Sequence, residues 1–194
     1  MFNDEVLTSV LDVIHLTSSG DSTMLIGIDG LAGSGKSTLA MQLNERLLES
    51  AIVCVDDFYV TMLSSNMERL NPERDYIAYF DWKRLRDAVL EPLSKGIQAR
   101  YRHYDWSTNT YGEWLAVEPG RIVFVEGVYS TRPELRPYFS LTLYIETPRD
   151  IRLSRIINRR YKDLSWIDRW MAVEDWYQEH EHPSRHADLV LQGD

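Results

Sequence analysis

Cysteine is almost missing from this chain: Cys54 is the only one among 194 residues. No disulfide can close within it, and a reduced, cytoplasmic setting is expected. The thiol lies in the apolar run Ala51-Ile52-Val53-Cys54-Val55, where strand packing is its natural use. Long hydrophobic runs are missing too. None approaches the roughly twenty apolar residues of a membrane-spanning helix, so no membrane partner is expected. Positive charge is scarce, since 21 Lys and Arg against 30 Asp and Glu leave a net charge of -9. That balance argues against nucleic acid as a partner, because an extended surface for it needs clustered cations to neutralise phosphates. A small, locally basic pocket remains compatible with it. Repeats, low-complexity tracts and linker-like stretches are also lacking.

What is present suits one domain spanning residues 1–194, since 44% hydrophobic content at this length fills one core and is short for two. At the N-terminus, Asp4 and Glu5 stand where an export leader carries positive charge. Val6, Leu7, Val10, Leu11, Val13 and Ile14 recur at helical spacing behind Asn3 or Asp4 as a cap. Residues 1–20 are therefore expected to hold an amphipathic surface helix. Further on, the apolar runs Met24 to Ile28, Ile52 to Val55, Ile122 to Val125 and Leu141 to Ile145 alternate with helical patterns. Short continuous apolar strands are buried on both faces, which implies an α/β fold of three layers: a mostly parallel five-stranded sheet flanked by helices. Residues 96–120 depart from that rhythm. Gln98 to Tyr104 alternates, Ser107 to Thr110 reads as a turn, and Glu113 to Val117 returns, giving a small hairpin beside the sheet.

Between the first apolar run and the helical pattern after it stands GLAGSGKST, Gly30 to Thr38, which fits G-x-x-x-x-G-K-[ST]. The glycines (Gly30, Gly33, Gly35) let the backbone curl so that amides, including that of Ser34, point at phosphate oxygens. The following helix adds its positive end. Lys36 would reach the outer phosphates, Ser37 would offer its hydroxyl to Mg²⁺, and Thr38 continues the first turn. Fewer than about one random chain of this length in a hundred would match by chance, and strand before with helix after makes chance rarer still. A P-loop nucleotide site for ATP or GTP is expected.

Such a loop serves many activities, so the carboxylates must decide among them. Asp56 and Asp57 follow the second apolar run and Glu126 follows the third, at the carboxyl edge where α/β sheets bind ligands. In-line phosphoryl transfer needs a base beside the acceptor hydroxyl and a carboxylate near Mg²⁺. Asp56 is read as the base, Asp57 as its support and Glu126 as the acid by the metal, although acids in such places also cap helices.

Together these segments resemble the uridine kinase family, relatives of phosphoribulokinase, pantothenate kinase and nicotinamide riboside kinase. The resemblance is carried by Gly30 to Thr38, Asp56-Asp57-Phe58-Tyr59, Tyr104-Asp105, Val125-Glu126-Gly127 and the ending Pro183 to Leu191, in that order. It implies a kinase that phosphorylates a primary hydroxyl of a small acceptor, most simply a nucleoside such as uridine or cytidine. By position it implies Asp56 as the base for the sugar hydroxyl, Glu126 near the metal, Tyr59 as a pocket aromatic and Tyr104 as a hairpin contact. Asp75 and Asp81 compete for the family's ribose-binding aspartate, with Asp75 preferred.

Two features depart from the family pattern. Ser107-Thr108-Asn109-Thr110 has no histidine where uridine-specific members place one against the base, which bears on specificity. The lid, residues 149–165, is short. Arg152, Arg155 and Arg159 share a helical face there that would close over the triphosphate, the alternative being a solvated basic face. Behind Ser165, Trp166, Trp170, Val173 and Trp176 or Tyr177 form a stripe that suits core, a dimer face or base stacking, so a homo-oligomer stays open. Rival readings are a kinase of a vitamin precursor or phosphosugar, and a regulatory module that hydrolyses nucleotide slowly.

Overall fold

The helices and strands before the hairpin set the edge on which the site is built. Helix α1, Asp4–Thr17, starts where the Asn3 side chain accepts the Val6 N–H at 2.9 Å, and it buries Leu7, Val10 and Ile14. Strand β1, Met24–Asp29, runs into helix α2, Lys36–Asn44, and then strand β2, Ser50–Cys54. A 3₁₀ turn, Val55–Phe58, follows β2 directly. Helix α3, Pro72–Ala78, has Pro72 in its first turn behind an Asn71 cap. Helix α4, Trp82–Leu85, continues through a π turn, Arg86–Leu90, into α5, Glu91–Ser94. Strands β3, Ala99–Asp105, and β4, Thr110–Val117, form the hairpin. The rest comprises β5, Ile122–Glu126; β6, Leu141–Glu146; α6, Arg149–Asn158; α7, Leu164–Glu181; α8, Pro183–His186; and β7, Leu189–Gln192. The computed structural model describes residues 2–18, 20, 22–60, 70–158 and 164–193.

The sheet has the order β2-β5-β1-β6-β7, and all four pairings are parallel. Adjacent residues supply opposite faces. Leu25, Val123 and Val125 pack with Leu85, Val89, Leu90 and Leu93 on one side. Ile26, Ile28 and Phe124 pack with Leu7, Val10, Ile14, Leu39 and Leu43 on the other. Covered faces explain the unbroken apolar runs, and parallel strands bring the loops after β1, β2 and β5 out on one edge.

Three expectations need refinement. The sheet is wholly rather than mostly parallel, because its fifth strand is β7, inside the Pro183 to Leu191 ending. The second strand stops at Cys54, so Asp56 and Asp57 lie in a 3₁₀ turn. The hairpin forms a two-stranded sheet of its own, with a register shift between Arg102 and Tyr104. Arg159 and the lid segment up to residue 163 fall outside the described residues. Among those described, no helix is long and apolar enough to cross a membrane.

Candidate active site

The phosphate-binding motif sits at the carboxyl end of β1, and close contacts explain one glycine in it and one in the loop after β5. Gly33 has φ +78°, and a Cβ there would lie 2.6 Å from the Arg152 carbonyl oxygen. Gly127, after β5, has φ +154° and would meet the Val55 side chain at 2.4 Å. These approaches seat α6 on the loop and join the β2 and β5 ends into one wall. Gly30 and Gly35 also take positive φ, and Ser34 is buried while its carbonyl accepts the Thr147 hydroxyl at 3.1 Å.

Asp29 anchors the same edge with no exposed surface. Oδ1 accepts the amides of Gly30 (2.6 Å) and Tyr129 (3.1 Å). Oδ2 accepts the Thr131 amide (3.0 Å), the Thr131 hydroxyl (2.8 Å) and the Tyr177 phenol (2.8 Å). One carboxylate thus ties the phosphate loop, the loop after β5 and α7 together. Sequence reasoning missed it, although an acid ending an apolar strand next to the loop was a visible signal.

A single cavity collects Gly33, Lys36 and Ser37 from the loop, Asp56 and Tyr59 from the turn after β2, and Glu126 from the end of β5. The Ser37 hydroxyl donates to Glu126 Oε1 at 3.0 Å, and the Cys54 thiol contacts the same oxygen at 3.4 Å. Burial, with Asp56 and Glu126 nearby, drives the thiol's pKa far above its ordinary value, so Cys54 stays a thiol. Lys36 is buried, its ammonium donating to the Leu31 carbonyl at 3.1 Å. Asp57 points away from Asp56's cavity and accepts the Tyr101 phenol at 3.2 Å; burial raises its carboxyl pKa. Thr38 continues α2 and, like Gly30, Ser34 and Gly35, does not line the cavity.

The opposite wall is aromatic. Tyr59, Tyr79, Phe80, Trp106, Tyr129 and Trp170 all line it. Tyr59 stands 4.5 Å from Trp106 and 5.1 Å from Tyr104 between ring centroids, and burial pushes its phenol up to about 12. Tyr104 lies one layer back, hydrogen-bonded to Asn109. Neither competing aspartate reaches the cavity wall. Asp75 is fully buried between Arg74 (2.9 Å) and Arg169 (2.5 Å), and Arg169 passes the contact on to the Tyr79 phenol at 3.1 Å. Asp81 caps α4 by accepting the Arg84 amide at 3.0 Å.

The arginine face expected over the triphosphate is turned onto the loop's backbone instead. Arg155 donates to the carbonyls of Gly33 (3.0 Å) and Ser34 (3.4 Å). Arg152 is buried against Glu174 at 3.2 Å. Val173 and Tyr177 are buried in the aromatic cluster, so their part of the stripe is core; the side chains of Ser165 and Trp166 are outside the described ones. Glu174, also missed from sequence, lines the cavity, and burial pushes its carboxyl up to about 7 against the pull of Lys36 and Arg152. A lone glutamate among tryptophans carried no signal of that position.

A phosphate loop at the mouth of a parallel sheet, facing strand-end carboxylates, defines a P-loop kinase, a phosphotransferase with an alcohol acceptor. The chain belongs to the phosphoribulokinase / uridine kinase family, whose model matches residues 25–166. It is 29% identical over 177 residues to the uridine kinase of Halobacterium salinarum, covering 86% of this chain and 78% of that one. Identity to the uridine kinase of Clostridium perfringens is 33% over 153 residues, with coverage of 76% and 72%. A solved structure of a possible uridine kinase from Bacillus stearothermophilus superposes with a TM-score of 0.73 at 25% identity, covering 96% and 98% of the two chains.

Proposed function

We propose that this kinase transfers the γ-phosphate of ATP or GTP to the primary hydroxyl of a nucleoside, with uridine and cytidine first in line. The observation that carries this is the meeting of Lys36, the Ser37–Glu126 pair and Asp56 in one cavity whose far wall is aromatic. Uridine kinase relatives at 29% and 33% identity support the nucleoside. Asp56 accepts the hydroxyl proton as the new O–P bond forms and the bond between the γ phosphorus and the bridging oxygen breaks, releasing the nucleoside diphosphate. Lys36 and the loop amides hold the phosphate oxygens and offset their charge, and Tyr59 and Trp106, packed against each other at 4.5 Å, offer one aromatic wall to the acceptor's flat face. Asp75 serves that wall indirectly, by fixing Arg169 and through it Tyr79.

The donor set also fits magnesium. An alcohol and a carboxylate oxygen 3.0 Å apart suit a hard cation that takes its remaining ligands from phosphates and water. Ser37 and Glu126 would hold it, and when bound it draws charge from the phosphate oxygens. The cytoplasm is the compartment that suits the lone thiol.

The test is nucleotide consumption with Mg²⁺ against uridine, cytidine, other nucleosides, pantothenate and sugar phosphates, each compared with a no-acceptor control. Strong stimulation by uridine or cytidine is expected. Stimulation by another flat acceptor, for which the hairpin turn without histidine leaves room, would replace the substrate and keep the mechanism. Hydrolysis indifferent to every acceptor overturns the reading.

A further inference from the structure

Glu174 lines the cavity beside Lys36 and Asp56, yet the transfer mechanism gives it no part. A carboxylate held out of water must be well paired, and its partners are informative. Both of its oxygens accept the Ala32 amide at 3.1 Å, and Oε2 also accepts from Arg152 at 3.2 Å. Lys36 adds its field. A loop amide, a guanidinium and an ammonium around one anion are what a phosphate oxygen would find there. Amides at the start of α2 serve the inner phosphates of a nucleotide. Ala32 belongs to the other end of the loop, toward the acceptor wall, so the anion it serves is the outermost.

We infer that Glu174 is an internal stand-in for the terminal phosphate: it keeps the seat made by the Ala32 amide and Arg152 ordered in the empty enzyme and yields it to a nucleoside triphosphate. This rests on the phosphate-site reading above. Glu174 is then a positioning residue, because it holds Arg152 and the loop in place until the phosphate arrives. It also taxes triphosphates and spares diphosphates, which leave that seat uncontested.

Protonation eases the exchange. The groups facing Glu174 are Lys36 from α2, Arg152 from α6, Asp175 on its own helix, and the phenols of Tyr129 and Tyr144, both kept neutral by burial. With its carboxyl already pushed up to about 7, a second anion pushes it higher, so triphosphate binding takes up a proton. Triphosphate affinity therefore weakens as pH rises from about 6 to 8, relative to diphosphate.

The experiment is calorimetric titration of Mg-ATPγS and Mg-ADP into the wild type and Glu174→Gln across that range. At the alkaline end the variant is expected to bind ATPγS about fivefold tighter, with ADP affinity unchanged and the pH trend of the ratio flattened. Equal shifts for both nucleotides would reduce Glu174 to a structural tie and overturn the inference. So would a wild-type ratio indifferent to pH, which decides the matter even if the variant fails to fold. A wild type that binds neither nucleotide would overturn the phosphate-site reading itself.

Discussion

Asp29 and Asp56 divide the work of the site at the level of single residues. Asp29 faces no solvent and accepts from five donors, three of them amides of the loops that shape the cavity. Truncation to alanine leaves those donors buried and unmatched, so Asp29→Ala is expected to cost about 3 kcal/mol, read as a lowered urea midpoint with an unchanged slope. An unchanged midpoint would show that water or relaxation satisfies the loops. Asp56 lines the cavity with Lys36, Ser37 and Glu126, and its loss is expected to fall on the chemistry. Asp56→Asn is expected to keep nucleotide affinity and lower kcat at least about a hundredfold, the lower range for a positioned base. Near-normal turnover would remove it from that role.

The hairpin and α4 show how elements place those residues. Arg84 of α4 donates to the Asp57 carbonyl at 2.9 Å and the Arg102 carbonyl at 2.8 Å, and lies 4.5 Å over the Phe58 ring. It thereby clamps the turn that carries Asp56 against β3. The hairpin turn then brings half-exposed Trp106 against Tyr59 as a wall for the acceptor. Because Trp106 supports little of the core, Trp106→Ala is expected to raise the acceptor KM about tenfold with kcat and stability nearly unchanged. A fall in kcat with KM constant would place Trp106 in transition-state alignment instead. Elements of this kind were legible in the sequence where burial imposes a period. α1, β1, β5 and β6 follow their apolar patterns, and the phosphate loop announces itself through residues that only its geometry requires. β7 was not, because only four residues long and alternately half-buried and exposed, it reads as part of a terminal motif. Spacing put Arg152 and Arg155 on one face but could not say what that face meets. Asp75, Asp29 and Glu174 take their meaning from partners 94, 148 and 142 residues away, where no local pattern reaches.

Across the whole molecule, acid groups set how stability responds to pH. The chain carries a net charge of -9, and its buried acids add a specific term to the general self-repulsion. Burial raises the carboxyls of Glu174, to about 7 from 4.5, and of Asp57. The folded state therefore binds more protons than the unfolded chain between those values, and stability declines as pH rises through that window. For Glu174 alone the decline is on the order of 3 kcal/mol. Urea unfolding between about pH 5 and 7.5 is expected to show the slope, and Glu174→Gln to flatten it whatever its absolute stability. Salt separates the two sources. Exposed acids are screened within a Debye length, whereas Glu174, on the face of α7 turned to the loop, is buried, so the difference in slope between wild type and variant should persist in about 0.5 M NaCl. If salt erases that difference, solvent reaches the carboxylate in the folded protein, and its tie to Ala32 and Arg152 is not the buried one described.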